Sequence, residues 1–594
     1  MIVHSRAPSL SSSRGKSVER GGRQPSRGSV CDQAQRRRRL SLLASKLECF
    51  RGSTPGARLR QSQVEPTRPR KGNDLRSPVW GASGRRWWPW LTRSKVSTEE
   101  ESLHKTADSV MEEKTVEQSP PLDNGNRNQE TASRTPPQRA SDLGPRPPRE
   151  AVGGTAVYVM LPLDTVCADG HLQHMKALEM GLHALKKVGV DGVMVDVWWG
   201  VVERHGPGKY DWTSYRKLLD LVKSNGLRVQ AVMSFHTCGG NVGDGNVSIG
   251  LPPWVAEIGE KEPDIYYTDI RGERNKECIS LFADEWKVLA GRTPLECYSD
   301  LMQSFKNMCK GDLGKVVTEV AVGMGPCGEL RYPAYPEGEW QFPGIGEFQC
   351  YDKRALESLR KAAEDAGHPR WGYSGPHDAG TYNSKPWDTG FFTTDGSYTT
   401  DYGRFFLEWY SSQLLRHGDR VLSNANRVFG CAPEESRALI TVKCAGCHWW
   451  YNTLSHPAEL TAGYYNVYGR DGYRDIAALC KRHGALLNFT CVEMRDKEQP
   501  VGAFASPEAL LRQVRCTAAD VGVAVSGENA LCRMDQFAYD QIVTTASGDV
   551  VADGTVGSET EVPRLASFTF LRLMPQLFEE PNFGRFVKFV ENMK

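Results

Sequence analysis

Beyond about residue 152, short apolar runs rich in β-branched residues alternate with longer segments whose apolar positions recur every three or four residues. Eight such runs occur, at 157–163, 192–197, 229–235, 317–323, 438–443, 485–491, 522–525 and 567–573. Most are followed by a polar, Gly-rich loop and then a helical pattern, as at 174–188 and 212–225. Runs that are apolar throughout suit strands covered on both faces, and a helix between successive strands makes those strands parallel. Eight repeats of this unit predict an α/β fold, a single (β/α)8 barrel with long βα loops. In that fold the reactive side chains lie at the C-terminal ends of the strands and on the loops that follow them.

The first 150 residues break this pattern. Residues 1–90 hold 20 Lys or Arg against 5 Asp or Glu, a net of +15, whereas the remainder holds 54 against 67, a net of −13. The segment 1–90 is rich in Ser, Arg, Gly and Pro and lacks an apolar secretory core, so it reads as an organelle transit peptide. The competing reading is a nuclear or nucleic-acid patch around Arg36, Arg37, Arg38 and Arg39. Residues 91–150 are mixed in charge, with Pro120-Pro121, Pro136-Pro137 and Pro147-Pro148, and read as a disordered linker ahead of a catalytic domain spanning 151–594. Apolar residues in this extension are too few to offset the entropy of ordering it.

An acidic body argues against a nucleic-acid or anionic-membrane surface on the barrel and favours a neutral, polar substrate. No stretch approaches the roughly 20 apolar residues of a membrane span, which predicts a soluble chain. The 16 Cys are scattered, so a reducing compartment is expected.

The strand-end rule shortens the search for chemistry. After the fourth run comes Gly325-Pro326-Cys327-Gly328-Glu329-Leu330-Arg331-Tyr332-Pro333, and after the seventh Ser526-Gly527-Glu528-Asn529-Ala530-Leu531. Glu329 and Glu528 are thus two carboxylates at one end of the barrel, the arrangement glycoside hydrolysis needs: one donates a proton to the leaving oxygen and one acts as base or nucleophile. Either glutamate alone would read as a surface ion-pair partner. After the second run, Asp196 precedes Val197-Trp198-Trp199-Gly200, and the third run leads into the segment from His236 to Asp244. Aromatic faces beside Asp, His and Asn suit a saccharide groove, although a Trp pair is also ordinary core. The glycines around Asn241 and Asp244 would allow that loop to act as a lid.

These segments together resemble plant β-amylases. The resemblance runs from about residue 156 to residue 594 and includes the stretches 443–451, 459–466 and 488–495. It implies a (β/α)8 hydrolase that removes β-maltose from the non-reducing ends of α-1,4-glucans such as starch and maltodextrins, inverting the anomeric carbon, in the chloroplast and without a cofactor or metal. Glu329 matches the family's general acid and must enter the reaction protonated; Glu528 matches the general base. Inversion calls for carboxyls roughly 6.5–9.5 Å apart, leaving space for a water. By the same resemblance Asp244 belongs to the mobile lid and Thr490 to an inner loop that steadies the base and the departing sugar. Asp196, His236, Lys443, His448, Asn529, Ala530 and Arg572 match glucose-binding positions.

Three further expectations follow. The spacing Cys444-x-x-Cys447 is not read as a metal site, but oxidation of Cys238 or Cys491, on the two moving loops, would obstruct closure. No separate starch-binding module is visible after the eighth unit, so soluble glucans should be preferred to granules. Two rival readings remain: a catalytically silent glucan-binding regulator, and a nuclear regulator with a DNA-binding extension, which would place the protein in the nucleus or cytoplasm instead. Oligomeric state is not legible.

Overall fold

Eight strands, β1 (Ala156–Met160), β2 (Gly192–Trp198), β3 (Arg228–Ser234), β4 (Val317–Val322), β5 (Leu439–Cys444), β6 (Leu486–Phe489), β7 (Val525–Glu528) and β8 (Ser567–Phe570), pair in parallel in sequence order and close, β8 against β1. They come from a computed structural model that describes residues 154–239, 245–430, 437–467, 469–552 and 559–594. The transit and linker readings for 1–150, and the lid residue Asp244, lie outside the described residues. No helix among the described residues is long and apolar enough to cross a membrane.

The helices α1 (Met175–Val188), α2 (Thr213–Ser224), α3 (Pro294–Met308), α4 (Asp401–Ala425), α5 (Arg474–His483), α6 (Pro507–Val521), α7 (Gln536–Ala546) and α8 (Asn582–Met593) each follow one strand. The two predicted helices thus appear, trimmed to their caps. Packing follows from periodicity. Val193, Val195 and Val197 of β2, at alternate positions, meet Tyr215, Leu218, Leu219 and Val222 of α2, which share one helical face and are all buried. Burying each of these side chains is worth about 1.5–3 kcal/mol. The same pleat turns Asp196 to the opposite face of β2, and Gln230 and Ser234 to the opposite face of β3 from Val229 and Ala231. Helix ends are set locally: Thr293 and Glu296 form a capping box on α3, and Gly189 closes α1 in the left-handed region at φ 97°.

Two features depart from expectation. The seventh strand was expected at 522–525 and instead runs Val525–Glu528, so Glu528 is its last residue and does not sit on the loop beyond. Gly522 is the C-cap of α6, at φ 78°, and belongs to the turn into the strand. Ser526 and Glu528, which border a polar interior, together with Gly527 hid the strand. That interior is the second feature. Gln230 donates to Glu319 (2.9 Å), Thr441 to Glu319 (2.7 Å) and Thr569 to Gln230 (2.8 Å), tying β3, β4, β5 and β8 together by buried side chains. Burial raises the Glu319 carboxyl above its ordinary range.

Candidate active site

Glu528, 1 % exposed at the end of β7, is held on both oxygens. Lys443 of β5 places Nζ 3.0 Å from Oε2, and the Asn488 amide of β6 donates to Oε1. Asn488 comes from the adjacent strand and Lys443 from the one beyond it, so barrel register fixes the carboxylate's orientation. Burial pushes the Lys443 ammonium down, but the carboxylates of Glu528 and Asp196 outweigh it and leave the group above its usual value.

Glu329 follows β4 after a tight passage. Gly323 N–H donates to Met233 O, Pro326–Gly328 makes a 3-10 turn, and Leu330 N–H donates to Lys443 O (2.8 Å), which docks the segment beside β5. His417 of α4 braces it from below, reaching Met324 O (3.0 Å) and Asp284 (2.9 Å). Arg331 Nε donates to Glu329 Oε2 at 2.7 Å, and the guanidinium lies 5.8 Å from the Tyr335 ring. Glu329 Oε1 has no hydrogen bond among the described residues. Lys443 feels both Glu329 and Glu528.

Asp196 accepts from Ser234 at 2.8 Å through Oδ1, and burial, opposed by Lys443, Ser234 and Arg572, leaves its carboxyl above the usual range. Arg572, just past β8, is thus near enough for its charge to act on Asp196. His236 meets the edge of Trp198 (5.3 Å between centroids); burial, with the charges of Lys443 and Arg331, pushes its imidazole down to about 3, so it is neutral at working pH. Among the described residues, Asp196 Oδ2, His236 Nδ1, Asn488 Oδ1 and Ser526 Oγ are buried with no hydrogen-bond partner. Such groups cost about 1–3 kcal/mol each unless satisfied, and a polyhydroxylated ligand satisfies them.

Other expectations fare differently. Trp199 is core: it is fully buried and edge-on to Phe235, Trp254 and Tyr298, while Trp198 donates its indole N–H to Leu163 O (2.9 Å). The Trp pair therefore offers packing, not a stacking face. The Asn529 amide is committed to the main chain, donating to Leu531 O and Leu571 O and accepting from Leu571 N–H, each at 2.8 Å. Ala530 N–H donates to Glu493 (3.0 Å), as does Leu531 N–H (2.8 Å). Thr490 Oγ1 accepts from Gly446 N–H at 2.9 Å, so in this conformation Lys443 and Asn488, rather than Thr490, hold the Glu528 carboxylate. His448 Nδ1 lies 2.9 Å from Gly446 O, and burial lowers its imidazole. Cys491 adopts φ 61° and is buried, which pushes its thiol well up and leaves little thiolate to react. Arg331, Asn488 and Ser234 escaped the sequence reading. The quoted motif segments contained the first two, but only geometry pairs them with the glutamates.

A closed parallel barrel with a buried glutamate ending β7, another on the segment that follows β4, and buried polar groups that lack partners among the described residues defines a glycoside hydrolase of the (β/α)8 class. The model of glycosyl hydrolase family 14 matches residues 158–594. Relatives include β-amylase 2, chloroplastic, of Oryza sativa subsp. japonica (52 % identical over 461 residues, 77 % of this chain and 80 % of that one) and β-amylase 1, chloroplastic, of Arabidopsis thaliana (51 % over 448 residues, 75 % and 76 %). The solved catalytic domain of a β-amylase from Paenibacillus polymyxa superposes with a TM-score of 0.59 at 28 % identity, covering 74 % of this chain and 98 % of that one. The chain belongs to glycosyl hydrolase family 14.

Proposed function

We propose that this chain is a plastid β-amylase in which Glu329 is the general acid and Glu528 the general base of an inverting cleavage. It releases maltose from the non-reducing ends of α-1,4-glucans. The relatives named chloroplastic support the plastid location, in line with the basic, acid-poor first 90 residues.

The observation that carries the assignment of roles is the contrast in how the two carboxylates are held. Lys443 of β5 and Asn488 of β6 engage both Glu528 oxygens, which suits an ionised acceptor. Each oxygen keeps a second lone pair for a water. Glu329 meets Arg331 through Oε2, and its Oε1 has no hydrogen bond among the described residues, which suits an oxygen that carries a proton. In the reaction Glu528 takes a proton from water, and the water oxygen bonds to the anomeric carbon from the face opposite the leaving group. The glycosidic C–O bond breaks, and Glu329 protonates the departing oxygen. The α-linkage thus yields β-maltose. Asp196, His236 and Arg572 border the pocket that receives the terminal glucose units. Asp244 and Thr490 act when their loops close.

Proton NMR of the sugar released from soluble starch tests this directly. β-Maltose from the parent, with Glu329→Gln and Glu528→Gln each slowed by more than about a thousandfold, is the expected result. Glucan binding without maltose release would instead make the chain a silent glucan-binding regulator, and α-maltose would reverse the assignment of Glu528 as base.

A further inference from the structure

Aromatic side chains continue outward from the acid. The Arg331 guanidinium lies over Tyr335, whose ring is 4.9 Å from Trp449 and 5.3 Å from Trp340, and Trp449 meets Phe342 at 6.0 Å. The Trp450 indole N–H then bonds to Pro343 O. Trp450 is buried and forms the floor of a second cluster: Phe504 stacks on it (5.7 Å, 21°), Trp387 stands edge-on to it (5.4 Å), and Trp387 and Phe504 are 5.7 Å apart. Unlike the floor, the upper rings face water, with Trp387 52 % and Phe504 40 % exposed. The Lys385 ammonium lies 5.9 Å from the Trp387 centroid.

Isolated exposed apolar residues are ordinary, but contiguous aromatic rings held in mutual contact at a surface mark a binding face. This one is built by the loops following β4, β5 and β6, so it lies on the same end of the barrel as Glu329 and Glu528. It is also tied to the His448 loop: Trp450 N–H donates to Ala503 O (2.8 Å), Asn452 N–H to Phe504 O (2.9 Å) and Ser506 N–H to His448 O (3.0 Å).

The chemistry of the site indicates the occupant. A general acid protonates the leaving oxygen, so it stands on the side of the glucan that is released. An enzyme that removes two units at a time leaves all the remaining polymer on that side. The aromatic series starts beside Glu329, through Arg331 and Tyr335, and the apolar faces of pyranose rings stack on exposed indole and phenyl faces. We propose that Trp387 and Phe504, on the Trp450 floor, form an outer platform that binds the reducing-end continuation of a long α-1,4-glucan whose non-reducing end is in the barrel. This rests on the β-amylase reading.

The test compares the full-length parent with Trp387→Ala/Phe504→Ala on maltotetraose, which offers only two glucose units beyond the cleaved bond, and on long-chain amylose. Each stacked ring is worth about two- to tenfold in affinity. The double variant is expected to hydrolyse maltotetraose within about twofold of the parent, to show a KM for amylose raised about tenfold or more, and to migrate faster than the parent in native gels containing amylopectin. Trp387→Phe, which keeps an aromatic face, is expected to recover most of the loss. Unchanged amylose KM and gel migration in the double variant, with maltotetraose turnover intact, would overturn the platform. Equal losses on maltotetraose and amylose would also overturn it, by showing a general structural role. A parent that releases no maltose from maltotetraose would defeat the functional reading instead, and the gel would still judge the platform.

Discussion

Replacing Glu347 with glutamine is expected to stabilise the protein at pH 8 and to leave it nearly unchanged at pH 5. Glu347 lies on the long loop after β4, 4 % exposed, with Oε1 accepting from Tyr382 N–H at 2.9 Å and Oε2 buried with no partner among the described residues. Its nearest cation is Arg271, 4.0 Å away, which already serves Asp269 (2.8 Å) and Glu339 (3.1 Å). Burial, reinforced by the Asp269 charge, pushes the Glu347 carboxyl from 4.5 up to about 7. Below pH 4.5 the group is protonated whether the chain is folded or not, and it costs nothing. As pH rises from 4.5 to 7 the unfolded carboxyl ionises first, so stability falls, and above 7 the full cost remains. The gap between 4.5 and about 7 corresponds to about 3 kcal/mol. Glutamine keeps the acceptor for Tyr382 and never ionises. With an unfolding entropy of about 2.1 cal/mol/K per residue over roughly 440 residues, the variant should melt about 3 °C above the parent at pH 8. Melting curves at the two pH values are the assay. An equal difference at both, or a lower Tm at pH 8, would refute the argument that an ionised Glu347 strains this cluster.

Other substitutions separate charge, structure and substrate contact. Lys443→Met strands the Glu528 and Asp196 carboxylates without their shared ammonium, and thermal melts should show a loss of about 3–5 kcal/mol alongside the loss of activity. Asn529→Ala removes three hydrogen bonds to the main chain and should cost about 2–4 kcal/mol, with faster hydrogen exchange at the Leu571 amide. A Leu571 amide that exchanges no faster would contradict the structural role given to Asn529. Because burial holds His236 at about 3, His236→Gln should lower kcat/KM without moving either limb of the pH–rate profile between pH 5 and 8. A displaced limb would mean that His236 titrates during catalysis.

The eight-unit barrel and the places of Glu329 and Glu528 were legible along the chain, for a local reason. Strand and helix periodicities are written in consecutive residues, and parallel strands force the reactive groups to one end. Where polarity interrupted the apolar signal, the reading slipped: 522–525 stood for a strand that runs Val525–Glu528, because its polar residues border the barrel interior. Trp198 and Trp199 show the converse. Their composition suits a sugar groove, yet β2 turns Trp199 into a core of Phe235, Trp254 and Tyr298.

Sequence alone therefore determined the kind of fold and the family resemblance, and put two glutamates forward as candidates, since each depends on order and spacing within a short stretch. Only the tertiary structure decided how those glutamates are held. Lys443, Asn488 and Glu528 come from three strands, and barrel register, a property of the closed sheet, brings them within bonding distance. The same holds for Trp387, Trp450 and Phe504, which are separated by 63 and 54 positions and meet only because the loops that carry them rise from adjacent strands at one end of the barrel.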